Sequence, residues 1–336
     1  MKFNDLLLKA LSKEKCSRPP IWLMRQAGRY MSEYRTIRNR VSFLELCKSP
    51  ELACEVTLQP VDLLGVDAAI LFSDILVPVE PMGIRLGFNP APMIFNPVRA
   101  KKSVESLTVG DPVADLPFIY KTIRLLIKKL KVPLIGFAGA PFTLACYLTE
   151  GEASKSFVQI KKLMHNQPTV YNALMDKLTE YTLRYLQNQI NSGCSVVQIF
   201  DTWAGILTPT EYREKALPWV KALIASLSGA QVIYFAKDSF PYFDDLKTLC
   251  CSGLGLDWKV GIDEANNLLG GKFCLQGNLD PAMLFTNKRS IKKFAADIIN
   301  RGNTAPGHIF NLGHGIMLGT PVNNVKFLVD FVRGEI

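Results

Sequence analysis

The sequence predicts an α/β fold, a single (β/α)8 TIM barrel with long loops at the C-terminal face. Eight short apolar runs recur along the 336 residues, and a polar or helix-patterned stretch separates each run from the next. Such alternation indicates parallel strands joined by right-handed crossovers. No G-x-G-x-x-G motif opens a predicted helix, which disfavours a doubly wound dinucleotide-binding sheet. Because we find no linker, low-complexity tract or internal repeat, we expect residues 1–336 to form one domain.

The apolar runs define the predicted strands, which are Ile21–Met24, Ala68–Phe72, Leu134–Phe137, Val196–Phe200, Val232–Phe235, Gly253–Leu256, Phe273–Leu275 and Ile309–Leu312. Amphipathic helices are clearest at Phe118–Leu130 and Met175–Ile190, where apolar side chains recur on one helical face. A barrel of this type usually needs only about 250 residues. The excess predicts long loops, for which the candidates are Ser32–Gln59 and the proline-rich Val77–Lys102.

Composition narrows the class of partner. Hydrophobic residues make up 48% of the chain and charged residues 21%, which excludes a disordered protein. The net charge of +9 suits a polyanion, either nucleic acid, a membrane surface or an acidic metabolite. No zinc finger, basic zipper or RNA-recognition signature is present, so we expect no nucleic-acid partner and favour an acidic small molecule.

Cysteine usage and hydropathy predict the compartment. The eight cysteines form no C-x-x-C pair and mostly adjoin apolar residues, as buried free thiols in a reducing compartment do. The N-terminus lacks the apolar core of a signal peptide. Residues 132–149 carry no charge and are long enough to suggest a membrane helix, but Pro133 and Pro141 argue against one. We therefore expect a cytoplasmic protein without membrane association.

An arginine cluster near the N-terminus is the strongest functional signal. Five arginines fall within sixteen residues and face one nearby acid, Glu33; they are Arg25, Arg29, Arg35, Arg38 and Arg40. A solvated basic helix face is the ordinary explanation of such a cluster. Here an apolar run precedes Arg25 and the small Ala27-Gly28 step follows it, which favours an anion-binding mouth.

Polar groups directly follow the predicted strands, where a barrel carries its active residues. These groups are Arg25, Asp74, Gly139–Thr143 leading to Tyr147, Asp201-Thr202, Lys237-Asp238, Asp257-Trp258, Gly277–Pro281 and Gly313–Gly315. A single aspartate in this position is more often a helix N-cap, and Asp280-Pro281 has that pattern. For His314, between two glycines, a functional and a structural role are equally open. The barrel would bring all these strand ends to one mouth.

Five motifs resemble the uroporphyrinogen decarboxylase family. The run Pro20–Arg29 is similar to its N-terminal signature, and Gly136–Thr143 with Tyr147 and Glu150-Gly151 is similar to its second. The other matching segments are Phe72–Leu76, Leu275–Pro281 and Asn311–Gly315. The resemblance spans nearly the whole chain in order. One departure is Phe142, which stands where the family commonly has tryptophan.

The resemblance implies stepwise removal of four acetate carboxyl groups from uroporphyrinogen III, giving coproporphyrinogen III and carbon dioxide in haem biosynthesis. It implies no metal and no organic cofactor, and it implies a homodimer. The chemistry is consistent with this, because a pyrrole protonated at a ring carbon becomes an electron sink for the departing carboxylate. The substrate thus supplies what a cofactor supplies in other decarboxylases.

By the same resemblance Asp74, Arg25 and Arg29 are the catalytic candidates. Arg25 and Arg29, together with His314, suit carboxylate binding through charge-assisted hydrogen bonds. Asp74 would accept hydrogen bonds from the pyrrole N–H groups and favour a cationic ring. The proton donor stays open: Arg25 is a candidate, but guanidinium is a very weak acid, so a water or substrate carboxyl that Arg25 holds is the alternative.

The remaining candidates line the pocket. Tyr147 and Thr202 would hydrogen-bond substrate carboxylates, while Gln26, Phe137 and Phe200 would line the site. Thr202 stands where some members have serine and keeps the hydroxyl.

The sequence disfavours two other functions. Zinc-dependent methyltransferases of related fold need a His-x-Cys pair near the fifth strand and a later cysteine. That region here reads Tyr234–Lys237 and contains neither ligand type. A porphyrinogen carrier without turnover would not need both Asp74 and the arginines.

Overall fold

The computed structural model describes residues 3–88, 91–152 and 154–336, and its central element is a curled parallel sheet of seven strands. The strands, numbered along the chain, are β1 (Ala69–Ile70), β2 (Leu86–Phe88), β3 (Pro92–Ile94), β4 (Leu134–Gly139), β5 (Val196–Asp201), β6 (Gln231–Ala236), β7 (Gly253–Gly255), β8 (Cys274–Leu279) and β9 (His308–Leu312). The parallel sheet has the order β1-β4-β5-β6-β7-β8-β9, and β2 pairs with β3 in a separate antiparallel hairpin. Seven of the eight predicted strands are therefore confirmed.

The helices lie between these strands. They are α1 (Leu6–Leu11), α2 (Ser32–Arg38), α3 (Phe43–Lys48), α4 (Pro50–Leu64), α5 (Lys101–Glu105), α6 (Pro112–Asp115), α7 (Pro117–Ile127), α8 (Pro141–Glu150), α9 (Val158–Asn166), α10 (Pro168–Asn191), α11 (Pro209–Lys215), α12 (Leu217–Ser226), α13 (Phe243–Leu246), α14 (Ile262–Leu268), α15 (Lys288–Gly302) and α16 (Val322–Arg333). Both amphipathic stretches predicted from the sequence are confirmed, as α7 and α10. Proline at the first position begins many of these helices because its missing N–H would be unpaired there anyway.

A packed apolar cluster fills the concave side of the sheet. Ile135, Val196, Ile233, Cys274 and Ile309 come from five different strands and belong to this cluster. Its other buried members are Leu7, Ala10, Leu11, Trp22, Met24, Ala68 and Phe235. Alternate residues of the same strands pack outward against the helices. This alternation defines an inward and an outward row of side chains on each strand.

The predicted first strand, Ile21–Met24, is wrong: only Ile21 forms a sheet bridge, parallel to Phe310. Side chains take the next backbone donors, because the amide of Leu23 donates to Gln26 Oε1 (3.1 Å) and that of Met24 to Asn311 Oδ1 (3.0 Å). The amide of Trp22 is the donor of this run that still pairs with β9, to Phe310 O at 3.4 Å, so the ladder ends before Leu23.

The segment around Ile21 nevertheless touches both edges of the sheet. The amide of Phe310 in β9 donates to Pro20 O at 2.8 Å, and that of Asp67, just before β1, donates to Ile21 O at 2.7 Å. Backbone hydrogen bonds through this segment thus connect β9 to the chain entering β1.

The two predicted long loops differ from expectation. Residues 32–59 are helical, covering α2, α3 and most of α4, because Ser42 forms a capping box with Glu45 and Pro50 begins α4. Residues 77–102 contain a 3-10 turn at Val77–Met82 and the β2–β3 hairpin, whose residues 89 and 90 lie outside the described residues.

Asp67 fixes the N-terminal arm beneath the sheet. Its buried carboxylate accepts two hydrogen bonds from Arg18 (2.6 and 2.9 Å), one from Asn4 Nδ2 (2.7 Å) and one from the amide of Ile21 (2.8 Å). A bidentate guanidinium and a backbone donor make this a strong anchor for the bridging segment.

The remaining expectations concern cysteines and membranes. All eight cysteines are free, five of them buried, as predicted. Within the described ranges, no helix has the length and apolar character needed to cross a bilayer.

We expect Asp67→Asn to lower the free energy of unfolding by about 2–3 kcal/mol, because an amide cannot accept the charge-assisted bonds from Arg18 and Ile21 together. Denaturant unfolding measures the change. Asp5→Asn is the matched control, since its ion pair with Lys9 is exposed and should contribute under about 0.5 kcal/mol. Equal stability of the two variants would contradict the anchoring role.

Candidate active site

The C-terminal ends of the strands lie level along one edge of the sheet. Gly139 pairs with Phe200, Asp201 with Ala236, and the amide of Lys237 continues the ladder to Asp201 O at 3.3 Å. The loops that follow β4, β5 and β6 therefore begin side by side, as parallel strands of equal register require. This edge is the candidate site, and we call it the mouth.

The alternation of rows decides which strand-end side chains face the mouth. In β5, Val196 and Phe200 pack on the inner cluster, whereas Val197 and Ile199 pack outward. Continuing this period of two places Thr202 in the inward row and Asp201 in the outward row.

Arg25 is positioned by a left-handed backbone turn and by a glycine. Its φ is +62°, and its side chain lies across Gly315, where an added Cβ would come 2.4 Å from Arg25 Cδ. Only glycine at 315 leaves room for the arginine. Arg25 and Arg29 are both exposed to solvent.

The other arginines of the cluster do not all act as free cations. Arg35 donates to the carbonyl oxygens of Arg29 and Tyr30, both at 2.9 Å, and Arg38 donates to the carbonyl of Val41. Part of the cluster thus holds the α2 region together.

Asp74, Tyr147 and Arg25 form one electrostatic group. Burial raises the pKa of Asp74 above its ordinary value, and the Leu76 amide and the charge of Arg25 offset this only in part. Burial and the neighbouring Asp74 raise the pKa of Tyr147, opposed by Trp203 and Arg25. The charge of Arg25 acts on both Asp74 and Tyr147, and that of Asp74 acts on Tyr147, which places the three residues in the same part of the mouth.

His314 precedes Gly315, the glycine that the Arg25 side chain lies across. Burial, followed by the charges of Arg25 and Lys237, lowers the pKa of His314 to about 4. The imidazole is therefore neutral near pH 7 in the free protein, and a neutral ring binds carboxylate less strongly than an imidazolium.

An arc of aromatic rings forms the apolar side of the mouth. Ring centroids lie 5.8 Å apart for Phe137 and Phe200, 6.1 Å for Phe200 and Phe235, and 6.2 Å for Phe235 and His314. All three contacts are edge-to-face, the preferred geometry for aromatic pairs. Phe137 and Phe200 were predicted from the sequence as site residues, but Phe235 was not. Its inward position follows from the alternation of inward and outward side chains along β6.

Gln26 is buried, with 1% of its surface exposed. Its Oε1 accepts from the amide of Leu23 and its Nε2 donates to Ala68 O at 3.1 Å. The amide thus joins the bridging segment to the chain entering β1.

Asp201 belongs to a buried network behind the mouth. Its carboxylate accepts from Thr143 Oγ1 (2.6 Å) and from the Tyr234 hydroxyl (2.7 Å), and Tyr212 lies 3.1 Å from that hydroxyl. Thr143 also accepts the amide of Trp203 at 3.1 Å. The network therefore fixes the turn that carries Thr202, and burial raises the pKa of Asp201 to about 6.

The sequence places Lys237-Asp238 directly after a predicted strand, but neither residue was among the predicted site residues. Lys237, Asp238 and Lys259 form ion pairs at the mouth. The signal that could have found them is the position of Lys237 directly after a strand. No group of three or more His, Cys, Asp or Glu residues in the described part of the chain is arranged to hold a metal ion.

Taken together, the parallel α/β sheet carries exposed Arg25, the half-buried carboxylate of Asp74 and an aromatic arc in one region, which is the arrangement of an enzyme of the α/β class with its candidate site at the strand ends. The sequence profile of uroporphyrinogen decarboxylase (URO-D) matches residues 2–335. Uroporphyrinogen decarboxylases of Trichlorobacter lovleyi and Geobacter metallireducens are 50% and 48% identical, each over 98% of both chains. The chain belongs to the uroporphyrinogen decarboxylase family.

Solved structures show how widely the fold is shared. A methyltransferase from Methanosarcina mazei has a TM-score of 0.86 at 22% identity, covering 100% of this chain and 99% of its own. A B12-independent methionine synthase from Shewanella sp. W3-18-1 has a TM-score of 0.60 at 13% identity, covering 88% of this chain and 91% of its own. At these identities the likeness concerns the fold alone.

The pKa of Asp201 predicts a pH-dependent stability. Because the folded value of about 6 exceeds the ordinary value near 4, the folded state binds the proton more tightly, and stability falls as pH rises from about 4 to about 6. We expect the change in unfolding free energy between pH 4.5 and pH 7 to differ by about 2 kcal/mol between wild type and Asp201→Asn. Denaturant unfolding at both pH values measures this difference. The exposed Asp62→Asn should behave as wild type, and an identical pH profile for Asp201→Asn would refute the assignment.

Proposed function

We propose that Arg25, Arg29 and Asp74 carry out the stepwise decarboxylation of uroporphyrinogen III to coproporphyrinogen III, and that this mouth is where the reaction occurs. The chain's membership of a family of carboxy-lyases of haem biosynthesis supports the reaction. The observation that supports the site is that the Arg25 side chain lies against Gly315, next to His314, while its charge also acts on Asp74 and Tyr147.

Asp74 is suited to bind the pyrrole N–H groups. Its Oδ1 accepts the amide of Leu76 at 2.9 Å, which fixes the carboxylate and leaves Oδ2 to accept from a ligand. A negative charge 4 Å from a protonated pyrrole would stabilise that cation by about 4 kcal/mol at an effective dielectric near 20. Pyrrole N–H donors would in turn lower the pKa of Asp74 and keep it ionised.

The other polar groups would hold carboxylates. Arg25 and Arg29 supply fixed positive charge for charge-assisted hydrogen bonds. His314 is neutral in the free protein, but an arriving carboxylate would raise its pKa and so strengthen the contact. Tyr147 and Thr202 would add hydroxyl donors from the neighbouring strand ends.

The aromatic arc would support the face of the macrocycle. Phe137 and Phe200 present apolar ring surface, which fits the uncharged centre of a tetrapyrrole. Gln26 would act on the site indirectly, because its two hydrogen bonds hold the segment that carries Arg25.

Protonation of the ring carbon would come from the Arg25 side of the pocket. The donor would be Arg25 itself, or a water or substrate carboxyl that Arg25 holds. In each case the electrons of the breaking C–C bond pass into the protonated ring, so neither metal nor organic cofactor is needed.

Five wider proposals accompany this function. The segment around Ile21 would occupy the eighth strand position and close a (β/α)8 barrel, as its hydrogen bonds to both sheet edges suggest. Residues 1–336 would form one domain. The protein would work in the cytoplasm, as a homodimer, and without a nucleic-acid or membrane partner.

Turnover distinguishes the enzyme from a carrier. Anaerobic incubation of the protein with uroporphyrinogen III should release carbon dioxide and give coproporphyrinogen III. Binding without gas release would support a carrier.

We expect Asp74→Asn to reduce turnover by about a thousandfold or more, since the amide cannot neutralise the ring cation. Binding of substrate should weaken much less, because the carboxylate contacts remain. The test is the rate of carbon dioxide release, with fluorescence titration for binding. Near-normal turnover would exclude Asp74 from the mechanism.

Arg29→Ala should raise the Michaelis constant about tenfold with little change in turnover number, as loss of a carboxylate contact outside the reacting bond requires. Arg40→Ala is the matched control, because Arg40 is an exposed arginine of the same cluster. A change confined to the turnover number of Arg29→Ala would contradict carboxylate binding.

A further inference from the structure

A second cationic position lies at the end of β6. Ile233 and Phe235 belong to the inner cluster, while Val232, Tyr234 and Ala236 pack outward. Lys237 is the next residue of the inward row, and its amide still donates to the β5 residue Asp201. Its side chain is therefore directed to the mouth, above the ring of Phe235.

Lys237 is also a neighbour of His314. The Phe235 ring, one step below Lys237 in the row, lies 6.2 Å from the imidazole of His314. The charges of Arg25 and Lys237 both act on that imidazole. His314 therefore has a second cation, Lys237, near it in addition to Arg25.

Asp238 holds the lysine in place. Lys237 Nζ lies 2.6 Å from Asp238 Oδ2, and Lys259 Nζ lies 2.5 Å from Oδ1. Burial opposes the ionisation of Asp238, but the hydrogen bonds and charges of Lys237 and Lys259 outweigh it and hold the pKa of Asp238 below its ordinary value. The three residues carry a net charge of +1.

The backbone around Asp238 is fixed as well. Its φ is +57°, its amide donates to Asp257 Oδ2 at 2.5 Å, and a Cβ on Gly205 would come 2.6 Å from its own Cβ. Close packing on both sides makes the ion group a built feature rather than a chance surface contact.

We propose that Lys237 is a further carboxylate-binding residue of this site, and that Asp238 and Lys259 position it. This inference rests on the proposed function. When a substrate carboxylate arrives, it takes the place of Asp238 on Lys237, while Lys259 continues to neutralise Asp238. Lys237 is the inner residue, with 28% of its side chain exposed against 57% for Lys259.

The charge of the substrate requires such a residue. Uroporphyrinogen carries eight carboxylates, whereas the two exposed arginines of the mouth supply two permanent charges and His314 is neutral before binding. Lys237 adds a permanent charge that comes from the end of β6, whereas Arg25 comes from the segment after Ile21. A cation there would bind a carboxylate that the arginines do not reach.

The test compares three variants of the full-length protein. Lys237→Met should raise the Michaelis constant for uroporphyrinogen III about tenfold and leave the turnover number within about threefold. Lys237→Arg should restore binding to within about threefold of wild type, because the charge returns. Lys247→Met is the matched control, because Lys247 is an exposed lysine paired with Asp244 outside this ion group, and it should alter the Michaelis constant less than about twofold.

A purely structural role predicts a different result. It would lower the melting temperature of Lys237→Met without changing the Michaelis constant, and that outcome overturns the proposal. Equal effects in Lys237→Met and Lys247→Met would also overturn it, since they would indicate only a loss of general positive charge. If Lys237→Met fails to fold, Lys237→Gln takes its place with the same expectations.

Direct titration separates this inference from the function itself. Oxidised uroporphyrin binding, followed by fluorescence, should be about tenfold weaker in Lys237→Met and should show a smaller dependence on salt. If wild type releases no carbon dioxide, the proposed function fails. If wild type and Lys237→Met bind uroporphyrin equally, the role of Lys237 fails whatever the turnover.

Discussion

The structure depends on how the backbone of residues 20–24 satisfies its hydrogen bonds. Asp67, Gln26 and Asn311 supply the side-chain acceptors, and the carbonyls of Pro20 and Ile21 accept from the two sides of the sheet. One short segment therefore connects β9 to the chain entering β1 and ends at Arg25, whose left-handed turn directs its side chain across Gly315. The hydrogen bonds that attach this segment to the sheet also fix the backbone position of Arg25. If the segment were free to move, the guanidinium would have no fixed position.

Burial sets the charge state of the mouth before any ligand enters. It raises the pKa of Asp74 and lowers that of His314, so both groups are shifted toward their neutral forms, while Arg25 keeps its charge. A ligand that brings carboxylates to His314 would raise the pKa of that imidazole, and N–H donors at Asp74 would lower the pKa of that carboxyl. The proposed substrate would bring both features, an acidic rim and a centre of N–H donors, whereas simple anions lack the second.

Much of the fold could be predicted from the sequence, since apolar runs buried on both faces identify parallel strands without any alternation. The prediction failed at Ile21–Met24, because side chains accept three of its four amides, two of them from residues distant in sequence, Asp67 and Asn311. It also failed at 32–59, where the capping box of Ser42 and the proline at position 50 begin helices. The sequence also did not show which side chains of each strand face the inner cluster and which face the helices. Asp201 and Thr202 are adjacent in the chain, yet only the observed packing shows that the acid faces the helices and the hydroxyl the mouth.

The fold by itself does not decide the chemistry. The Methanosarcina mazei methyltransferase shares this architecture at a TM-score of 0.86, although only 22% of residues are identical. A zinc-dependent reaction needs thiolate and imidazole ligands near the end of the fifth predicted strand, and this chain has Phe235, Ala236 and Lys237 there. A lysine paired with Asp238 cannot activate a thiol as a metal does, but it can hold a carboxylate. The residues one position beyond each strand therefore assign the chemistry, while the common sheet determines only where those residues meet.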